Sequence, residues 1–122
     1  ISQKQKDGSW GMAKPFEEIN TAGKDKSPFF HQDGETLYFV SSTSDSRRGM
    51  GGLDIYVSEN LGDSWGDPIN LGYGINTVNN DSHFVYSKEL NKGFVSGYEI
   101  IGNKASIDIY EVDLSNFSLP LK

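Results

Sequence analysis

Apolar and polar positions in this chain fall into short β-type runs separated by turn residues rather than into helical stripes. Four such runs, residues 27–32, 36–42, 53–59 and 64–71, are rich in Phe, Tyr, Val, Ile and Trp, which suit a pleated surface. Asp33-Gly34 and Gly62-Asp63 supply the left-handed backbone that tight hairpins need. Residues 44–52 are too polar and glycine-rich for a strand. In the second run Leu37 and Phe39 share one face and Tyr38 and Val40 the other, so both faces are apolar and both call for cover. The pattern predicts one antiparallel four-stranded unit with no helix longer than about two turns.

The unit recurs. Trp10 returns as Trp65, Ile19-Asn20-Thr21 as Ile75-Asn76-Thr77, Ser27-Pro28-Phe29 as Ser82-His83-Phe84, Phe39-Val40-Ser41 as Phe94-Val95-Ser96, and Asp54-Ile55-Tyr56 as Asp108-Ile109-Tyr110. The offsets are 55, 56, 55, 55 and 54 residues. Ordered matches at one spacing, with four strands per period, point to an all-β fold of propeller blades; an antiparallel sandwich is the alternative. The reading divides the chain into the outer strand of a preceding blade at about 9–19, a full blade at about 27–72 and a second blade at about 82–118. Propellers close with about four to eight blades, so two four-stranded blades are expected to belong to a larger propeller. Pro15 and Pro68, at matching places, each remove a ladder donor and favour an edge. Each repeated Trp is expected to pack on its own blade, and the polar end at 1–8 to fray.

Composition narrows the partners. With 17 acidic and 11 basic residues the formal net charge is −6, a poor surface for nucleic acid or anionic lipid. The 122 residues hold no Cys, which excludes disulfides and thiolate chemistry, and no apolar run approaches the roughly 18 residues of a membrane span. The chain opens on Ile1 rather than Met, so further sequence is expected upstream.

No catalytic or metal-binding constellation emerges. His31 and His83 occupy non-equivalent places and lack further ligands at metal spacing, and no cofactor is implied. Asp54 and Asp108, each beside an apolar strand, are expected to be satisfied by N–H groups of the glycine-rich loop before each. Ser58-Glu59-Asn60-Leu61-Gly62-Asp63-Ser64-Trp65 resembles the Asp-box hairpin of sialidase-like propellers, with Asn in the Asp place and Ser in the Thr place. That resemblance implies the alternative function, a fragment of a glycan-acting hydrolase. Sialidases of that kind use three separated arginines, and this chain has only the adjacent Arg47 and Arg48.

Ser27-Pro28-Phe29, Asp33 to Phe39, Gly49-Met50-Gly51-Gly52-Leu53-Asp54-Ile55-Tyr56 and Trp65 to Gly72 together resemble the WD-like, TolB-type propeller repeats of OmpA-family, peptidoglycan-associated envelope proteins, including the type IX secretion component. The resemblance implies a non-enzymatic binding or scaffolding module, periplasmic and associated with the outer membrane. Its expected partners are other envelope or secretion proteins and the remaining blades. The loops differ most between repeats, residues 44–52 against 99–106, and loops on a rigid frame carry binding residues. Arg47, Arg48 and Met50 are therefore the candidate protein-binding residues, read as exposed anchors.

Overall fold

The computed structural model describes residues 1–115, so the end of the expected second blade, 116–118, lies outside the described residues. Seven strands form two antiparallel sheets. The first has the order β1-β2-β3-β4, with β1 Asp25–Phe30, β2 Thr36–Ser42, β3 Leu53–Glu59 and β4 Ile69–Asn70. The second has the order β5-β6-β7, with β5 Asp81–Ser87, β6 Lys92–Ile101 and β7 Lys104–Asp113. No helix occurs among the described residues. The expected second blade thus shows three described strands, not four.

Local chemistry explains the turns. Asp33 Oδ1 accepts from the N–H groups of Glu35 at 2.8 Å and Thr36 at 2.9 Å, while Gly34 supplies φ 73°, so β1 and β2 join tightly. The run at 64–71 contracts to two strand residues. Trp65 only bridges Asn60, and Pro68 lacks the N–H that would continue the ladder. Residues 9–19 form no strand: Trp10 bridges Lys4, and the N–H groups of Ile19 and Asn20 both turn back to Phe16 O. The end at 1–8 is a bridged turn, with the Gln5 N–H donating to Ser9 O at 2.7 Å, because Asp7-Gly8 can close it.

The sheets pack face to face. Tyr38, Val40, Ile55 and Val57 meet Phe84, Val95 and Leu114, with Leu71 and Ile75 of the connection closing the same core. The opposite face of the first sheet presents Leu37, Phe39 and Tyr56, covered by Ile19, Phe16 and Trp65. The two repeated tryptophans therefore differ: Trp65 wedges against Phe16 and Phe30 at 5.4 and 6.1 Å, whereas Trp10 is 68% exposed.

The backbone register sets the repeat of the first two strands at 56 residues, so Phe39 corresponds to Val95 and Ser27 to His83, one residue on from the sequence matches to Phe94 and Ser82. Asp25 pairs with Ser41 and Asp81 with Gly97; Phe39 pairs with Tyr56 and Val95 with Tyr110. Both first strands bulge directly after these aspartates, with left-handed residues at Ser27 (φ 52°) and His83 (φ 53°). A non-glycine residue held there is strained, and its recurrence 56 positions on marks one geometry used twice.

Asn76 ties the connection between sheets to the first sheet. It sits buried, accepting from the Ile55 N–H at 2.7 Å and donating to Ile55 O at 2.8 Å, as a neighbouring strand would. Its counterpart Asn20 is exposed. Asn76→Ala should cost about 2–4 kcal/mol, since it strands two backbone groups at a buried position. Asn20→Ala should stay within ~0.5 kcal/mol. Urea denaturation midpoints of the two variants check the contrast.

Candidate functional site

The β2–β3 loop carries the residues singled out for binding, and the structure separates them. Arg48 and Met50 are exposed. Arg47 is not the exposed anchor expected of it. Its side chain lies back across the face of the first sheet, with the guanidinium 5.1 Å from the Phe39 ring and 5.4 Å from the Tyr56 ring. It donates to Ile19 O at 2.8 Å, Ser41 Oγ at 3.1 Å and Asp25 Oδ1 at 3.2 Å. Both members of this ion pair are largely shielded, with side chains 9% exposed. Arg47 is a structural cation because residues 43–52 form a loop long enough to fold its head inward.

Backbone N–H groups of that glycine-rich loop satisfy Asp54, as expected. The Met50 and Gly51 N–H groups donate to its carboxylate, and Asn70 Nδ2 adds a bond of 3.1 Å. Gly51 is needed for close approach, since a Cβ there would stand 2.2 Å from Asn79 O. Asp108, the counterpart of Asp54, departs from that expectation: among the described residues it accepts from Ser106 Oγ at 2.7 Å, with no loop N–H, and is exposed.

Asp25 and Asp81 are the pair that sequence reasoning missed. In each, the carboxylate accepts from the N–H and hydroxyl of a threonine four residues earlier, Thr21 or Thr77. The recurring Thr-x-x-x-Asp at 21–25 and 77–81 was the available signal. Their electrostatics diverge. Burial pushes the Asp25 carboxyl up, but the Ser41 hydroxyl, the Thr21 donors and the Arg47 charge outweigh it and hold the pKa below 3.8. Burial also pushes Asp81 up, the Thr77 donors offset only part, and nearby Asp54 adds repulsion, leaving its pKa above 3.8. Asp81 is 1% exposed.

Beside Asp81 opens a cavity of about 500 Å³. Ile75, Val95, Gly97, Glu99 and Tyr110 line it with Asp81, and no Lys or Arg is among its lining residues. A second, more apolar cleft of about 820 Å³ lies between the N-terminal segment and the first sheet, walled by Trp10, Phe16, Phe30, Phe39 and Trp65.

The remaining candidates are structural. His31 is buried, stacked on Tyr86 at 5.3 Å, with Nδ1 3.1 Å from Asp33 Oδ2; His83 is the exposed bulge residue. No cluster of three potential metal ligands occurs among the described residues. The hairpin at 58–65 spends its polar groups on its own backbone: the Gly62 N–H donates to Asn60 Oδ1 at 2.9 Å and Ser58 Oγ to Gly66 O at 2.6 Å. No helix of the described residues is long and apolar enough to cross a membrane. Neither a family model, nor a curated protein, nor a solved structure matches the chain.

The divergence of the two aspartates fixes the sign of their pH dependence. A depressed pKa makes ionised Asp25 stabilising above its unfolded value, and that contribution fades as pH falls through the folded value. A raised pKa does the reverse for Asp81, whose ionisation lowers stability as pH rises through the window above 3.8. At pH 7, Asp25→Asn should therefore cost more than Asp81→Asn, with the gap closing below about pH 4. Arg47→Met should cost about 2–4 kcal/mol by leaving Asp25 unpaired, against ~0.5 kcal/mol or less for Arg48→Met. Chemical denaturation across pH tests both comparisons.

Proposed function

We propose that the chain is a run of β-propeller blades in a cell-envelope protein, acting without catalysis as a binding scaffold. The observation that carries this reading is how the two sheets use their faces. The face of the second sheet that packs on the first, with Phe84 and Val95, corresponds in register to the Pro28 and Phe39 face of the first sheet, which lines the apolar cleft. The face of the first sheet that packs on the second includes Ile55, which is fully buried. Its counterpart Ile109 lies on the outer face of the second sheet, 78% exposed, alongside Ile107 at 70% and Val85 at 44%. The packing is head to tail, and both unused faces are of the type already used once. Successive blades of a propeller pack in this way, with each sheet covered on both sides. Head-to-tail packing supports stacked blades over a two-sheet sandwich, where two like faces meet and the outer faces are polar.

The motif resemblance to WD-like repeats of OmpA-family proteins supports a periplasmic, outer-membrane-associated setting, with secretion or envelope proteins as partners. On this reading Arg48 and Met50, exposed on the long loop, are the contact residues, and Arg47 holds the loop in place.

The reading is tested by one substitution in two contexts. Ile109→Asp should change the stability of the 122-residue chain by ~0.5 kcal/mol or less, because the position is exposed. In the intact parent protein it should cost about 3 kcal/mol or more, as a charge in an interblade core would. Equal small costs in both contexts would remove the stacked-blade reading. Replacing Arg48 and Met50 with Ser in the parent should reduce recovery of envelope partners, and undiminished recovery would exclude the loop.

A further inference from the structure

Each group that holds the Arg47 guanidinium in the first sheet has a register counterpart around the cavity of the second. Asp81 stands where Asp25 does, Gly97 where Ser41 does, Tyr110 where Tyr56 does, Val95 where Phe39 does, and Ile75 where Ile19 does. What differs is the supply of the cation. In the first sheet the loop at 43–52 delivers Arg47 from within. In the second, β6 runs unbroken to Ile101 and turns through Gly102-Asn103 into β7, so no loop reaches back. The cavity keeps an ordered acceptor, an aromatic face and space for a flat cation, without an internal one among the described residues.

We infer that this cavity is a binding site for an arginine side chain presented by a partner polypeptide. The Asp81 carboxylate, fixed by the Thr77 N–H at 2.6 Å and the Thr77 hydroxyl, takes the charge-assisted hydrogen bonds that Asp25 takes in the first sheet. Tyr110 supplies a stacking face, oriented by its hydroxyl, which donates to Glu99 at 3.3 Å. Glu99 replaces Thr43 and adds a carboxylate that the first sheet lacks. Gly97 in place of serine lets the Tyr110 ring lie close over the strand, since a Cβ there would come within 3.0 Å of it. A guanidinium fits better than an ammonium because it is planar, donates in a fork and stacks on an aromatic ring. The site depends on the scaffold reading only for where the arginine comes from; its affinity belongs to the cavity itself.

The test uses the 122-residue chain and N-acetyl-L-arginine N-methylamide, with the isosteric, uncharged citrulline compound as control. Amide resonances of Asp81, Gly97 and Tyr110 should shift saturably with the arginine probe, and the citrulline compound should bind ~10-fold or more weakly. Asp81→Asn should weaken arginine binding by ~10-fold or more, and Tyr110→Ala, at an exposed position, by ~3-fold. If Asp81→Asn fails to fold, the Tyr110 variant and the citrulline comparison still decide. Equal binding of the two compounds, shifts centred elsewhere, or no saturable shift up to the solubility of the probe would overturn the site. Such a result leaves head-to-tail stacking, which the Ile109 comparison tests, untouched.

Discussion

A sheet that is apolar on both faces must be covered twice, and the architecture follows from that constraint. In β2 the alternation of Leu37 and Phe39 against Tyr38 and Val40 leaves no face that water can solvate cheaply. One face is met by the second sheet, the other by the N-terminal segment through Ile19, Phe16 and Trp65. The price is connectivity, because both covering layers must be tied to the sheet at its margins. Asn76 does this on one side by imitating a strand neighbour of Ile55. Arg47 does it on the other by bonding Ile19 O across the covered face. Both ties are polar groups placed where an apolar side chain could not satisfy the exposed backbone.

The second sheet shows what happens when the same plan lacks its ties. Its inner face packs on the first sheet and is buried, but its outer face, with Val85, Ile107 and Ile109, remains open among the described residues. Asp108 is exposed because no loop folds down to satisfy it, whereas Asp54 is 1% exposed and fully bonded. The state of each repeat thus depends on whether the next connection reaches it. That dependence is the physical content of a repeat array, in which a unit is completed by its neighbour.

Much of this was legible in the sequence. β2 and β3 lie where the apolar runs put them, because Asp-Gly before β2 and Gly-Gly before β3 mark where each run can begin. The outer strands were less legible. Trp, Pro and an apolar residue at 65–69 look like a strand, yet the missing Pro68 donor leaves only Ile69–Asn70 paired. The burial of Arg47 is illegible for a different reason: a polar loop sequence does not reveal whether a long side chain points outward or folds back over Phe39 and Tyr56. Asp25 and Asp81 leave a faint sequence signal, because the recurring element is a carboxylate bound to a threonine N–H rather than an aromatic pattern.

The contrast between those two aspartates bears on why Asp81 is tolerated at all. A buried carboxylate without a cation is costly to ionise, and burial together with Asp54 raises its pKa. In the first sheet the same carboxylate is offset by Arg47, Ser41 and the Thr21 donors, and its pKa falls. A position serving packing alone could carry Asn, keep an acceptor for the Thr77 N–H and avoid the desolvated charge. An acidic, aromatic cavity at the place where the sister repeat seats a guanidinium gives that charge a use. The strain is then discharged when a cation arrives, so the energy that destabilises the free site becomes affinity for its ligand.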